Sequence, residues 1–245
     1  RYWARSHLGW SRIAAAEPND GHRAVAALQQ AGLLTGIVTQ NVDGLQQRAG
    51  AWPVLELHGA LSRVVCLDCG GRTDRWDLEA RLRAVNGGWS PGPGAANPDG
   101  DLELADDAVG SFVVVDCRVC GGTLKPDVVF FGETVPPARV AAAFACVERS
   151  RALLVLGSSL TVMSGRRFVL RAAALGIPVA IVNQGVTRGD PYAGLVLDAP
   201  LGPALAGLVE TLHVGSPLGS PLDAGLPPTL GGSMIGGTRG EGRRP

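Results

Sequence analysis

Blocks of consecutive apolar residues alternate with amphipathic stretches along most of the chain. The blocks that predict short strands are "TGIVTQN", "VLELHG", "KPDVVFFGE", "ALLVLGSS", "PVAIVNQG" and "LVLD". The stretches that predict helices are "EPNDGHRAVAALQQAGLL", "DGLQQRAG", "PPARVAAAFACVERS", "SGRRFVLRAAALG" and "GPALAGLVETL". Strands with continuous apolar faces that alternate with helices indicate a parallel sheet covered on both sides. The pattern therefore predicts an α/β fold with a Rossmann-like, doubly wound parallel sheet.

Capping residues mark the ends of the first of these helices. Asn19 or Asp20 can accept a hydrogen bond from the free N–H groups of its first turn, and Gly32 can end it. A proline opens the helix of "PPARVAAAFACVERS", where a missing N–H is tolerated.

The alternation of apolar blocks and amphipathic stretches becomes irregular between Arg72 and Ser111, in the middle of the chain. Residues 75–85 can form a helix, whereas "NGGWSPGPGAANPDGD" predicts a long irregular loop because it is dense in Gly, Pro, Asn and Asp. Residues from about Val214 onward are rich in Gly, Pro and Ser and have no periodicity, which predicts a disordered tail.

Composition narrows the class of protein. The chain has 245 residues, 46% of them hydrophobic, and a formal net charge of zero, which favours a globular protein of one or two domains. No basic face that would bind nucleic acid is expected, and no apolar run reaches the roughly 18 residues of a membrane helix. Lys125 is the only lysine beside many arginines, a bias of genomic composition. If the source is bacterial, we expect a cytoplasmic protein, although a targeting segment upstream of Arg1 would not be visible. The oligomeric state stays open.

Four of the five cysteines form two Cys-x-x-Cys pairs, Cys66/Cys69 and Cys117/Cys120. Two such pairs supply the four thiolates of a tetrahedral structural zinc site, which leaves no open position for catalysis. The alternative is four unrelated thiols. The fifth, Cys146, lies in an apolar stretch and is interpreted as a small buried hydrophobe.

The two pairs enclose the irregular segment, so the segment is predicted to be an insertion tied at its base. The predicted domains are a Rossmann-like domain of residues 1–65 and 124–213, a small zinc-binding domain of residues 66–123, and the tail of residues 214–245.

His58 allows two interpretations, since it precedes the first Cys-x-x-Cys pair by a short strand. It is either a third metal ligand or free for other chemistry. The four cysteines complete a zinc site without it, and Gln40, Asn41 and Asp43 form a polar cluster at another strand end. Such a cluster suits a polar ligand, and a histidine beside it is a credible general base.

Two further strand ends are polar. Gly157, Ser158 and Ser159 follow one strand, and Asn183 and Gln184 follow the next. Because ligands bind outside the carboxyl ends of parallel strands, these groups favour a nucleotide site. Each signal taken alone also fits an ordinary tight turn.

Taken in order, "TQNVDGLQQRAG", "ELHG", the two Cys-x-x-Cys pairs, "LKPDVVFFGE", "LGSSLTV" and "IVNQG" resemble the sirtuins. The resemblance covers roughly residues 1–212, and "RYWARSHLGW" with the long insertion is most similar to the class II branch, which includes a mitochondrial lipoamidase and ADP-ribosyltransferase. It implies an NAD-dependent protein lysine deacylase that acts on an acyl-lysine protein or peptide and releases free lysine, nicotinamide and O-acyl-ADP-ribose.

The resemblance also implies site residues. His58 would be the general base, and one structural zinc ion would be bound by Cys66, Cys69, Cys117 and Cys120. The residues implied for NAD binding are Gln40, Asn41, Asp43, Gly157, Ser158, Ser159, Asn183, Gln184, Gly185 and Leu201. The residues implied for pairing with an extended substrate peptide are Val129, Phe130, Phe131, Gly132 and Glu133.

One departure from the family pattern is large. The glycine-rich Gly-Ala-Gly-x-Ser loop that cradles the NAD pyrophosphate in sirtuins does not occur before Gln40. We expect that the chain is truncated upstream of Arg1, lacks a central strand and half of the cofactor site, and is poorly active by itself. The alternatives are a protein mono-ADP-ribosyltransferase and, for this truncated chain, a non-catalytic zinc-containing binding module.

Overall fold

The computed structural model describes residues 1–90, 95–96, 102–103 and 109–214. Its helices are α1 (Tyr2–Ala15), α2 (Asp20–Gln30), α3 (Leu45–Arg48), α4 (Arg75–Val85), α5 (Pro137–Glu148), α6 (Met163–Ala174) and α7 (Leu201–Thr211). Its strands are β1 (Ile37–Thr39), β2 (Val54–Glu56), β3 (Gly59–Cys66), β4 (Arg72–Asp74), β5 (Ala95–Ala96), β6 (Leu102–Glu103), β7 (Leu124–Val128), β8 (Leu153–Leu156), β9 (Val179–Asn183) and β10 (Leu195–Asp198). The predicted tail beyond Val214 and most of the predicted long loop lie outside these ranges.

The parallel strands form two hydrogen-bonded sets, β1–β2 and β10–β9–β8. Both sets are covered on the same two sides. Ile37 of β1 and Leu156 of β8 pack against one apolar cluster with α2 and α7, whereas Val38 and Val155 pack against another with α5 and α6. The predicted Rossmann-like α/β fold is confirmed. Within the described ranges no hydrogen-bonded strand joins β1 to β8.

A third sheet is antiparallel, with the order β4–β3–β7. Its middle strand, β3, starts beside the parallel strands at Gly59 and ends at Cys66, so it connects the two halves of the molecule. A separate apolar cluster covers this sheet and includes Val64, Leu78, Leu82 and Leu124. None of the helices in the described ranges is long and apolar enough to cross a bilayer.

Helix α1 was not predicted from the pattern, and it packs against this antiparallel sheet. Trp3 is buried, and its indole Nε1–H donates to the carbonyl oxygen of Leu124 at 2.9 Å. Trp3, Ser6 and Trp10 are buried on one face, with the spacing of a helix that covers a core.

An ionic cluster joins α1 to α4. Arg75 and Glu79 are almost fully buried, with Nη1 and Oε2 2.8 Å apart, and Nδ1 of His7 lies 2.8 Å from Oε1 of Glu79. The guanidinium of Arg75 also stacks on Trp3 and Trp10, at 5.3 and 4.9 Å from the ring centroids. Burial raises the pKa of Glu79, but its interactions with His7 and Arg75 outweigh burial and lower the pKa to about 2.

We predict that Glu79→Gln lowers the free energy of unfolding by about 3–5 kcal/mol, because it leaves the charge of Arg75 buried without its partner. The matched control is Glu148→Gln, which breaks an exposed ion pair with Arg171 and should cost less than about 1 kcal/mol. Urea unfolding at neutral pH measures both.

The lowered pKa also sets a pH dependence. The stability that the Glu79 carboxylate contributes is present above its ordinary pKa of 4.5 and is lost as pH falls towards 2. Equal losses of unfolding free energy in Glu79→Gln and Glu148→Gln at neutral pH would contradict this account of the ionic cluster.

Candidate functional site

His58 lies between β2 and β3, and its half-buried imidazole contacts two other segments. Its Nδ1 lies 3.0 Å from the backbone carbonyl oxygen of Gln40, just after β1. Its Nε2 lies 2.9 Å from the hydroxyl oxygen of Ser164, in the first turn of α6. A carbonyl oxygen only accepts hydrogen bonds, so Nδ1 carries the ring proton. The lone pair therefore sits on Nε2, where it accepts a hydrogen bond from Ser164.

The next residue explains why the backbone of His58 is fixed. Gly59 has a φ of +85°, and a Cβ on it would lie 2.0 Å from the carbonyl oxygen of Asp127. Only glycine allows this approach of β3 to β7. One residue earlier, the carbonyl of His58 accepts a hydrogen bond from the N–H of Val129 at 2.8 Å.

The surroundings of His58 keep its ring neutral. Burial lowers the pKa of His58, the hydrogen bond to Gln40 raises it, and the nearby charge of Arg139 lowers it, so that the pKa lies below the ordinary 6.5. At neutral pH the Nε2 lone pair is available to accept a proton.

Two other predicted residues meet His58 at this strand edge. The hydroxyl of Ser158 donates to the side-chain oxygen of Gln40 at 3.3 Å, and the Gln40 amide nitrogen lies 3.5 Å from the Ser164 hydroxyl. The ends of β1, β2 and β8 and the start of α6 are therefore joined by one polar network. Asn41 is exposed beside it.

Asp43 is placed apart from this network. Its Oδ1 accepts a hydrogen bond from the N–H of Leu45 at 2.9 Å and so begins α3. It lines a cavity of about 240 Å³ together with Trp10 and Arg48. Within the described ranges no hydrogen bond connects Asp43 with His58.

The residues expected at the adenosine half lie at the ends of β8 and β9. Gly157 has a φ of +59°, and a Cβ on it would lie 2.8 Å from a methyl group of Leu201, which brings these two predicted residues together. The side-chain amide of Asn183 donates to the carbonyl oxygens of Gln184 and Gly185, at 3.0 and 2.9 Å.

This turn is fixed by a residue that the sequence analysis missed. Asp198, at the end of β10, accepts a hydrogen bond from the N–H of Gly185 at 3.0 Å. Apart from the adjoining residues, no atom of the described part of the chain lies within 4 Å of the position of a Cβ on Gly185, which leaves space for a ligand at this edge. Ser159 is exposed on the same edge.

The four paired cysteines come together at the far end of β3. All four sulfur atoms lie within 4.8 Å of one another, with Cys66 and Cys120 at 3.5 Å and Cys69 and Cys117 at 3.9 Å. Four sulfurs at 2.3 Å from one zinc ion would be about 3.8 Å apart in a tetrahedron. The donor set and its size therefore fit zinc.

The thiols of this cluster titrate unequally. Hydrogen bonds from the N–H groups of Cys120 and Val119 lower the pKa of Cys117 to about 7. The N–H of Gly122 lowers the pKa of Cys120, but the neighbouring thiols, Cys69 among them, outweigh it and raise the pKa to about 12. Crowding opposes the formation of several thiolates, which a bound cation would relieve.

The segment Val129–Glu133 is a turn after β7. The N–H of Phe130 donates to the carboxylate of Glu133 at 2.9 Å, and the N–H of Glu133 donates back to the carbonyl of Phe130 at 3.0 Å. Lys125 lies 2.9 Å from the same carboxylate, and Phe131 is 99% exposed. The turn leaves a large apolar ring facing solvent.

Ser164 and Arg139, which act directly on His58, were also missed by the sequence analysis. The only sequence signal for Ser164 is a small polar residue at the start of a helix, shortly after "LGSS".

A model described as the Sir2 family matches residues 1–164. NAD-dependent protein deacetylase 1 of Streptomyces coelicolor is 58% identical over 212 residues, which cover 86% of this chain and 71% of that protein. The mitochondrial NAD-dependent protein lipoamidase sirtuin-4 of Bos taurus is 46% identical over 205 residues, 84% of this chain and 65% of that protein. A solved structure of Sir2 with a p53 peptide and NAD+ superposes with a TM-score of 0.67 at 28% identity, covering 83% of this chain and 73% of that one. As the order of its motifs predicted, the chain belongs to the Sir2 family, the sirtuins.

Proposed function

We propose that this protein is an NAD-dependent protein lysine deacylase that releases free lysine, nicotinamide and O-acyl-ADP-ribose. The observation that carries the proposal is the fixed tautomer of His58, whose Nε2 lone pair faces the polar strand edge. The names of the relatives, an NAD-dependent deacetylase and an NAD-dependent lipoamidase, support the same reaction class.

In this proposal NAD, when bound, supplies the ribose to which the acyl group passes and from which nicotinamide leaves. Nε2 of His58 accepts a proton from a ribose hydroxyl. This hydroxyl replaces the Ser164 hydroxyl as the hydrogen-bond donor to Nε2. The Gln40 carbonyl keeps the proton on Nδ1 throughout, so the base does not lose its orientation.

The other site residues take the roles expected from the sequence. Gln40, Asn41 and Asp43 line the nicotinamide–ribose side. The adenosine half is held by Gly157, Ser158, Ser159, Asn183, Gln184, Gly185 and Leu201. The open edge at Gly185 and the close approach of Gly157 to Leu201 support this placement.

The zinc ion is structural in this proposal. Cys66, Cys69, Cys117 and Cys120 hold it, and it fixes the end of β3 away from His58. We retain the division into a Rossmann-like domain of residues 1–65 and 124–213 and a zinc-binding domain of residues 66–123. We also propose a cytoplasmic location.

The protein substrate is an acyl-lysine segment that lies along residues 129–133. The exposed ring of Phe131 supports an apolar contact with it. Because the N–H of Phe130 is bonded to Glu133, pairing with the substrate backbone requires this turn to open.

We predict that His58→Ala lowers the release of nicotinamide in the presence of an acyl-lysine peptide by about 100-fold or more, the usual worth of a general base. The matched control His22→Ala removes a half-buried imidazole whose Nδ1 accepts a hydrogen bond from the N–H of Asn19 at the start of α2, and it should leave the rate unchanged. NAD labelled in its adenine is the substrate. Label on a small molecule indicates deacylation, and label on protein indicates ADP-ribosyl transfer. Persistent turnover in His58→Ala would contradict the role of His58.

We predict that Arg139→Gln shifts the acid limb of the pH profile of kcat/KM to higher pH. The charge of Arg139 lowers the pKa of His58, so its removal lets the imidazole take up a proton at higher pH. Arg72→Gln is the matched control, since Arg72 pairs with the same carboxylate, Asp127, but is not among the charges that act on His58. If the acid limb of the pH profile shifted equally in both variants, the effect would come from Asp127 and not from the charge of Arg139.

We predict that the protein binds one zinc ion and that Cys69→Ser, a change at an exposed thiol, removes it and lowers Tm. Cys146→Ser changes the cysteine outside the cluster and should retain the ion. Elemental analysis and thermal unfolding measure the two effects. Full zinc content in Cys69→Ser would rule out the four-cysteine site.

A further inference from the structure

A second concavity opens beside the nucleotide edge, between the start of α6 and the loop that follows β9. Its volume is about 390 Å³. The polar side chains that line it are Ser159, Thr161, Arg166, Thr187, Arg188 and Tyr192. We refer to it as the arginine cleft. Among its lining residues, only Ser159 has a role in the proposed function, as part of the site for the adenosine half of NAD.

Its two guanidinium groups are the feature that points to a ligand. Within the described ranges, neither Arg166 nor Arg188 makes a side-chain hydrogen bond or ion pair, and Nε of Arg166 is shielded from solvent without an acceptor. Several other arginines in the described ranges are paired, among them Arg139 with Asp127 and Arg63 with Glu56. A shielded guanidinium nitrogen without an acceptor is costly, and an anionic ligand would relieve that cost.

The carboxylate of Asp190, next to the lining residue Pro191, is already engaged by its own turn. The N–H of Thr187 donates to Asp190 at 3.0 Å, and the hydroxyl of Thr187 donates to its other oxygen. These hydrogen bonds lower the pKa of Asp190, so it stays ionised and closes the turn. Two guanidinium charges against one carboxylate leave the cleft with a net positive charge.

The cleft and the proposed base both involve residues of α6. Ser164, which contacts His58, precedes Arg166 by two residues on α6, an axial rise of about 3 Å. The backbone N–H of Arg188 donates to the carbonyl of Ser159 at 2.9 Å, which fixes the second arginine to the same edge. An extended peptide advances about 3.3 Å per residue, so a side chain a few residues from an acyl-lysine at His58 can reach the cleft.

We propose that the arginine cleft binds an acidic or phosphorylated side chain of the protein substrate, a few residues from the acyl-lysine. This inference rests on the proposed deacylase function. The guanidinium fork matches a carboxylate or a phosphate with two parallel hydrogen bonds, and the hydroxyls of Ser159, Thr161 and Tyr192 supply further donors. The cleft therefore selects among acyl-lysine sites by the charge of their neighbours.

The test uses acyl-lysine peptides in which alanine, glutamate or phosphoserine is scanned over four positions on each side of the lysine. At one or two positions, glutamate or phosphoserine should raise kcat/KM about tenfold or more over alanine, the worth of one hydrogen bond to a charged group. The glutamate and phosphoserine arms distinguish the two sources of the anion. The advantage should fall as salt is added.

Variants locate the effect. Arg166→Gln and Arg188→Gln should each lower the ratio of kcat/KM for the acidic peptide to kcat/KM for the neutral peptide towards one. Arg188 is exposed, so its substitution should not disturb folding. Arg167→Gln is the matched control, because Arg167 is the next residue on α6, does not line the cleft and donates to the carbonyl of Met163. It should keep the ratio of the unmodified protein.

Three outcomes would overturn the inference. They are a scan with no preferred acidic position, a preference that survives in the Arg166→Gln/Arg188→Gln double variant, and variants that raise KM for NAD but keep the ratio. The last would assign the cleft to the dinucleotide. Turnover of any peptide in the scan tests the proposed function separately. Absence of turnover with every peptide overturns both proposals, whereas turnover without an acidic preference overturns this inference alone.

Discussion

The backbone of Gly59 passes so close to the carbonyl oxygen of Asp127 that no side chain fits between them. This contact joins the first residue of β3 to β7, and the adjacent hydrogen bond from Val129 to His58 continues it. The imidazole is thereby held at the end of β2, where the Gln40 carbonyl reaches Nδ1. The position of the base thus follows from a backbone constraint, and the Ser164 hydroxyl completes the contacts of its ring.

Asp127 connects this constraint to the electrostatics of the site. Its carboxylate is nearly buried and lies within 3.5 Å of Arg63, Arg72 and Arg139. Burial raises the pKa of Asp127, and the three arginines outweigh it and lower the pKa. Arg139 is thus held by Asp127 on one side while its charge acts on His58 on the other.

Local patterns were sufficient to predict most elements of the parallel half. The side chain of Asn19 accepts from the N–H of His22 at 3.1 Å and starts α2, as its position indicated, and Gly32 follows the helix with a φ of +73°. Helix α1 was missed although its tryptophans have helical spacing. Its partners are more than 60 residues away along the chain, at Arg75 and Leu124.

The candidate site was predictable to the same extent. The sequence assigned Gln40, His58 and Ser158 to the ends of predicted strands. Because the carboxyl ends of parallel strands share an edge, the three residues were expected to lie together. Ser164 was not predictable, since its contact depends on where α6 begins in space. The turn at Glu133 depends on a carboxylate that bonds back to the N–H of Phe130, and no periodicity of apolar residues reports such a contact.

A positive environment around a neutral base has a chemical consequence. Burial and Arg139 both disfavour the imidazolium form of His58, so a proton taken up at Nε2 is readily given back. Arg139 is in turn held by Asp127, so the carboxylate beside the Gly59 contact also influences how strongly His58 binds its proton.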